Sequence, residues 1–237
     1  NGLGTAAALS LMLSVGVAFD QKSIFKYRYL FLFFIPFFLH LIGMSGSAGA
    51  FLTIFIASII YFLFKKQRFG YKPLYMFALI PLFLLVIEYF QNYESLINKV
   101  ALFFAHGETS SRTALWKAAV TIYSDSPLFG LGEAGAYARM KDLTSLEVAH
   151  NVFIDVLLWG GVIALALYLS VYAKLLIKSL QHIKYDNNPL YLTLLAVIVL
   201  YMGKAGGGFS FKFAWVLFAC IAAMPLNPNS STQKEHT

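Results

Sequence analysis

The sequence predicts an all-α polytopic membrane protein, and three observations carry that expectation. Hydrophobic residues make up 59% of the 237-residue chain and charged residues only 12%, where a soluble domain carries about a quarter. Mean hydropathy is +0.70. The apolar residues are gathered into runs near the roughly 17–25 residues that a helix needs to cross a bilayer, and most Lys and Arg lie between the runs.

Seven runs stand out, at 3–19, 27–44, 48–64, 73–90, 152–172, 189–203 and 209–226. The chain starts at Asn1 without a methionine, and no basic segment or small-residue cleavage site marks the first run as a signal peptide. It reads as part of a longer polytopic protein. Ser45-Gly46-Ser47 joins the second and third runs as a tight hairpin. The sixth run is short and is expected to be tilted, broken or partly buried in protein. The seventh holds the single cysteine, Cys220, which excludes an intrachain disulfide framework and a Cys-based zinc site. The expected organisation is four spans in 1–90, an external loop in 91–150, three spans in 151–226 and a disordered cytoplasmic tail in 227–237.

Lys and Arg placement sets the orientation. Lys22, Lys26, Arg28, Lys65, Lys66, Arg68, Lys72, Lys174, Lys178, Lys184 and Lys234 fall on one side, 11 of the 18 basic residues. That side is assigned to the cytoplasm. The net charge of +7 is then mostly a topology signal, and nucleic acid is not an expected partner. On the opposite side, Lys99, Arg112, Lys117, Arg139 and Lys141 face the acids Glu94, Glu108, Asp125, Glu133, Asp142 and Glu147 within one long loop.

A loop of this length is commonly functional. Ser110-Ser111 can cap a helix running to about Tyr123, with Leu115, Ala118, Ala119 and Ile122 on one apolar face. Arg112 and Trp116, four apart, share a neighbouring face. The spacing predicts an amphipathic helix lying against the membrane surface and presenting Arg112 toward it. Ser126-Pro127 ends the helix, and Gly130, Gly132 and Gly135 predict a flexible turn. Gly130 to Gly135 also fits G-x-G-x-x-G, but no strand precedes it, so a dinucleotide site is rejected.

His150-Asn151 stands where this loop re-enters the membrane. An imidazole there can accept a proton near neutral pH, and a guanidinium on the same loop can grip phosphate. Asn151 can orient His150 or cap the following helix. Asp155 lies about one turn inside the span, where a carboxylate is costly unless paired; it is a candidate for a cation or for sugar hydroxyls. Lys204 and Lys212 flank Gly206-Gly207-Gly208 near the outer boundary and suit either phosphate binding or snorkelling. Arg139 and Lys141 are candidate substrate contacts or solvated charges. His40 and His106 show no ligand spacing, and the phenylalanine-rich run at 31–38 is lipid-facing.

Ser111-Arg112-Thr113-Ala114-Leu115-Trp116-Lys117-Ala118-Ala119 and Ser126-Pro127-Leu128-Phe129-Gly130-Leu131-Gly132 resemble the large periplasmic loop of the O-antigen ligase and O-antigen polymerase superfamily. The stretch His150-Asn151-Val152-Phe153-Ile154-Asp155, with Gly160-Gly161 ten residues on, resembles its His-Asn motif. The start Asn1-Gly2-Leu3-Gly4 is similar to the opening of the family's central region. The resemblance implies a membrane glycosyltransferase of the GT-C type in the bacterial inner membrane, with its active site facing the periplasm. It implies a glycan donor on undecaprenyl pyrophosphate, an acceptor that is lipid A core or another lipid-linked glycan, and no metal or cofactor. Arg112 then matches the family's loop Arg and His150 its His. The family usually places an Arg after the serine at the start of the helix following the hairpin; here Ala48 stands there, so the contact is lost or passes to Lys204 or Lys212.

On this reading Arg112 meets the pyrophosphate and His150 is general base in an inverting displacement, with Asn151 beside it. Trp116, Arg139, Lys141, Asp155, Lys204 and Lys212 are the candidate substrate contacts. The favoured function is ligation to lipid A core, and the alternative within the superfamily is polymerisation. From other classes, a polysaccharide-lipid transporter predicts charges within several spans and inverted repeats, whereas these spans carry few charges and show no repeat, and an inactive scaffold is the reading that Ala48 keeps open.

Overall fold

The computed structural model describes residues 2–19, 26–45, 47–65, 112–204 and 212–226. Among the described residues every regular element is helical. Helix α1 covers Gly2–Phe19, a 3-10 stretch Arg28–Phe34 runs into α2 (Ile35–Met44), and α3 covers Ala48–Phe64. Two shorter helices follow, α4 (Arg112–Tyr123) and α5 (Gly132–Thr144). Then come α6 (Val152–Asp186), α7 (Leu190–Met202) and α8 (Lys212–Ala223).

Small residues let α1 sit at the centre. It packs against α2, α3 and α7. At Gly4 a Cβ would stand 2.6 Å from Ser45 Oγ, so the hairpin turn lies directly on the α1 backbone. At Gly16 a side chain would run into Leu190 of α7. Such close backbone approach is how helices associate where lipid offers no hydrophobic drive between them. Pro36, which lacks an N–H, stands in the first turn of α2, where that N–H is not needed. Outward-facing Phe33, Phe34 and Phe37 are exposed, as the lipid-facing reading expects. Ser47 caps α3, its side chain accepting the Ala50 N–H at 3.2 Å.

The main core joins α1, α3, α6, α7 and α8. Its centre is aromatic: Tyr168 and Tyr172 hydroxyls lie 2.9 Å apart and both donate to Met202 Sδ, with Phe153 and Phe218 against the rings. α7 is buried along most of its length, from Leu190 to Met202. The short sixth run is therefore enclosed by protein, as expected.

Two helices are long and apolar enough to cross a membrane, Gly2–Phe19 and Val152–Asp186; four shorter apolar helices accompany them. Helix length does not establish the expected seven spans, and the run at 73–90 lies outside the described residues, as does the tail 227–237. α6 continues past the expected end at 172 to Asp186, where Asn187 turns left-handed to close it. At ~1.5 Å per residue, its 35 residues span more than the ~30 Å hydrocarbon layer.

α6 is broken at Gly160 (φ −131°, ψ 15°) and Gly161 (φ 65°, ψ −165°). In an unbroken helix the Val162 N–H would reach the Leu158 carbonyl. Instead it donates to the Pro127 carbonyl at 2.9 Å, and the Leu158 carbonyl accepts the Leu131 N–H at 2.9 Å. The 127–131 turn thus takes over both halves of the missing bond. Irregular backbone inside an apolar helix survives only where protein satisfies it.

Two expectations for the loop are corrected. The apolar face of α4 (Leu115, Ala119, Ile122) is buried against Ala136 and Met140 of α5 and Leu158 of α6, so it rests on protein rather than on the membrane surface. The flexible turn predicted over 130–135 is only half a turn. Gly130 (φ 68°) and Gly132 (φ 71°) are left-handed, but Gly135 lies inside α5. Ala136 and Met140, four residues apart, give that segment a helical face to bury, and tertiary packing outweighs the glycine content.

Candidate functional site

His150 lies at the junction of loop and α6. Asn151 is the N-cap of α6, its side-chain oxygen accepting the Phe153 and Ile154 N–H groups at 3.0 and 3.3 Å. Of its two expected roles, capping is the one its hydrogen bonds describe. His150 itself adopts φ 54°, a left-handed conformation that costs a non-glycine residue about 1–2 kcal/mol. Such outliers persist only where the surroundings over-determine them.

Those surroundings are explicit. Ala149 is fully buried. Its N–H donates to Asp155 Oδ1 at 2.9 Å, and its carbonyl accepts Trp116 Nε1–H at 3.2 Å. Asp155 is 1% exposed; the carboxylate that looked costly one turn inside the span is committed to the backbone just before His150. Trp116, four residues beyond Arg112 on α4, ties that helix to the same point. About one turn, ~5.4 Å of rise, therefore separates Arg112 from the residue that touches the His150 peptide.

Arg112 opens α4 and is half-buried. Its positive charge is felt at Lys204, in the turn after α7: burial first, and then Arg112, lower the Lys204 ammonium from its ordinary value. The Lys204 side chain lies over the first turn of α3, where a Cβ on Gly49 would stand 3.1 Å from its Cδ and 3.3 Å from its Nζ. Gly49 thus opens the space that the lysine fills, next to Ala48. Lys204 lies at the positive end of α3, and among the described residues no carboxylate pairs with it or with Arg112. A cation at a helix N-terminus favours an anion.

The other candidates lie apart from this cluster. Arg139 and Lys141 are exposed on α5, paired with Asp125 at 2.8 Å and Glu147 at 3.1 Å. These pairs brace α5 against the chain on either side. Lys212 is exposed at the start of α8. Tyr137, which the sequence reading passed over, stacks edge-on against Trp159 with ring centroids 5.8 Å apart and donates to Glu133 at 2.9 Å. Burial and that carboxylate push its hydroxyl up to about 12. Also missed was the space at Gly49; a glycine one residue into a capped helix was its only trace.

Residues 31–169, more than half the chain, match the family described as O-antigen ligase. The chain belongs to the O-antigen ligase family. No curated protein and no solved structure matches it. The matched region of this O-antigen ligase family chain runs from within the 3-10 stretch into the first half of α6 and includes Arg112, Trp116, His150, Asn151 and Asp155, whereas Lys204 and Lys212 fall beyond it. Membership makes this a membrane protein of a glycosyltransferase-like enzyme family, which agrees with its apolar helices.

Proposed function

We propose that this chain is the catalytic core of an O-antigen ligase, moving a glycan from undecaprenyl pyrophosphate to lipid A core at the periplasmic face of the bacterial inner membrane. The observation that carries the reading is the Trp116 bond that links the Arg112 helix to the backbone at His150, beside a Lys204 seated over the start of α3.

The chemistry is a single displacement without metal. The acceptor hydroxyl oxygen forms a bond to the anomeric carbon while His150 takes the hydroxyl proton. The bond from that carbon to the pyrophosphate oxygen breaks, and its electron pair leaves with the lipid pyrophosphate. Arg112 and Lys204 meet the charge that grows on the leaving group, where fixed cations lower the barrier most. Attack opposite the leaving group inverts the anomeric centre. On this reading Lys204 takes the place of the family Arg that Ala48 replaces, and its position over the first turn of α3 supports that role.

The test is to delete the full-length gene, complement with wild type or His150→Ala, and resolve lipopolysaccharide and lipid-linked glycans. Loss of long chains on lipid A core, with polymerised glycan accumulating on undecaprenyl pyrophosphate, supports ligation by His150. Accumulation of single repeat units instead assigns the same site to a polymerase. An unchanged pattern with a stably inserted variant removes His150 from the reaction.

A further inference from the structure

The residues around His150 hold it from two sides, and only one side belongs to its own helix. The Ala149 N–H is taken by Asp155 from α6. The Ala149 carbonyl, part of the peptide whose nitrogen is that of His150, takes the Trp116 indole N–H from α4. One residue later, Asn151 is pinned as the α6 cap, and its own carbonyl accepts the Asp155 N–H at 2.9 Å. His150 is therefore the single free joint between two fixed peptides, and it is held at φ 54°. Released, a non-glycine residue returns to negative φ, which swings the Cα–Cβ bond and carries the imidazole away from its present direction.

We infer that Asp155 and Trp116 form a clamp on the Ala149 peptides that holds the His150 imidazole in its working orientation, so both are positioning residues rather than substrate contacts. The burial of Asp155 argues the same way. At 1% exposure, its carboxylate is closed to solvent and accepts the Ala149 N–H. Trp116 spends its only polar atom on Ala149, and its ring packs with the α4–α5–α6 cluster. The clamp also explains why α4 carries both groups: a movement of Arg112 along its helix axis is transmitted, through Trp116, to the backbone of His150.

The inference rests on His150 being the general base, and the experiment separates the two. In the full-length protein, in membranes, transfer kinetics are measured for Asp155→Ala, Asp155→Asn and Trp116→Phe, each with and without His150→Ala. A misplacement of about 1 Å costs on the order of 100-fold in rate. Asp155→Ala is expected to lower kcat by about that factor with KM nearly unchanged. Trp116→Phe is expected to lower it about 10-fold, again on the scale of a displaced base. Asp155→Asn, which keeps an acceptor for the Ala149 N–H, restores most of the rate. In the His150→Ala background none of the three has a further effect. A rise in KM with kcat intact, or an equal loss with and without His150, overturns the clamp.

A second readout needs no catalysis. In a Cys220→Ser background, His150→Cys is labelled with a membrane-impermeant maleimide. Adding Asp155→Ala or Trp116→Phe changes the labelling rate several-fold, whereas Asp155→Asn leaves it alone. If labelling is unchanged, the clamp is wrong; if labelling changes but His150→Ala transfers glycan at the wild-type rate, the clamp stands as geometry and the assignment of the base fails.

Discussion

Replacing Gly161 with alanine attacks the join between loop and span at one atom. Gly161 combines φ 65° with ψ −165°, a region that only glycine populates readily and that costs other residues about 1–3 kcal/mol. A Cβ there would also collide with the Leu128 carbonyl and stand 2.5 Å from the Phe129 nitrogen, both of them backbone. The 127–131 turn would have to withdraw, releasing the bonds from Val162 to Pro127 and from Leu131 to Leu158. Each hydrogen bond lost costs roughly 0.5–1.5 kcal/mol net. The sum is on the order of 4 kcal/mol, and at about 2–4 °C per kcal/mol the detergent-solubilised protein should melt roughly 8–16 °C lower. Gly132→Ala is the control. Its φ is also positive, at 71°, but a Cβ there meets nothing within 4 Å, so only the conformational cost of about 1–2 kcal/mol applies. Thermal unfolding followed by light scattering and intrinsic fluorescence would measure both. Equal shifts for the two variants would refute the claim that the loop docks in the helix break.

Gly135→Ala should do the opposite and stabilise by up to about 1 kcal/mol, because a helix-interior glycine is replaced and the new Cβ meets only Leu131 Cβ at 3.4 Å; the same melting assay decides. Arg112→Ala should reduce transfer by about 100- to 1000-fold, the usual loss of one donor to a developing anion, measured as kcat in membranes. Lys204 supplies a pH prediction. Its ammonium is held below its ordinary value, so it loses its proton, and with it the anion contact, as pH rises through that lowered value. Lys204→Arg, always charged, should keep activity to higher pH, while Lys204→Met should lose it throughout. For folding the sign is reversed: the depressed lysine disfavours its charged form in the native state, so stability climbs with pH between the lowered value and the ordinary one. A pH–rate profile identical for wild type and Lys204→Arg would remove Lys204 from the site.

Much of the architecture was written in local sequence. Apolar runs mark the helices because a bilayer demands long hydrophobic stretches with internally satisfied backbone. The Leu115, Ala119 and Ile122 spacing marks α4, and Asn151 marks its own helix start because capping depends on neighbours two and three residues away. His150 and Arg112 were nameable for a different reason, their place in a motif that resembles a family. What the sequence could not express are relations between segments far apart in the chain. Nothing local says that Gly160-Gly161 opens a slot for residues 127–131, since a double glycine in a span is equally a kink or a packing site. Nothing local sends Asp155 to Ala149 rather than to a sugar, or brings Lys204 to the start of α3 across more than 150 residues. By itself the sequence determined the helices, their apolar character and the residues capable of the chemistry, because those follow from hydropathy, periodicity and side-chain type. Only the tertiary structure decided where Lys204 lies, which carboxylate takes the Ala149 N–H and how His150 is held, because each depends on partners that only packing brings together.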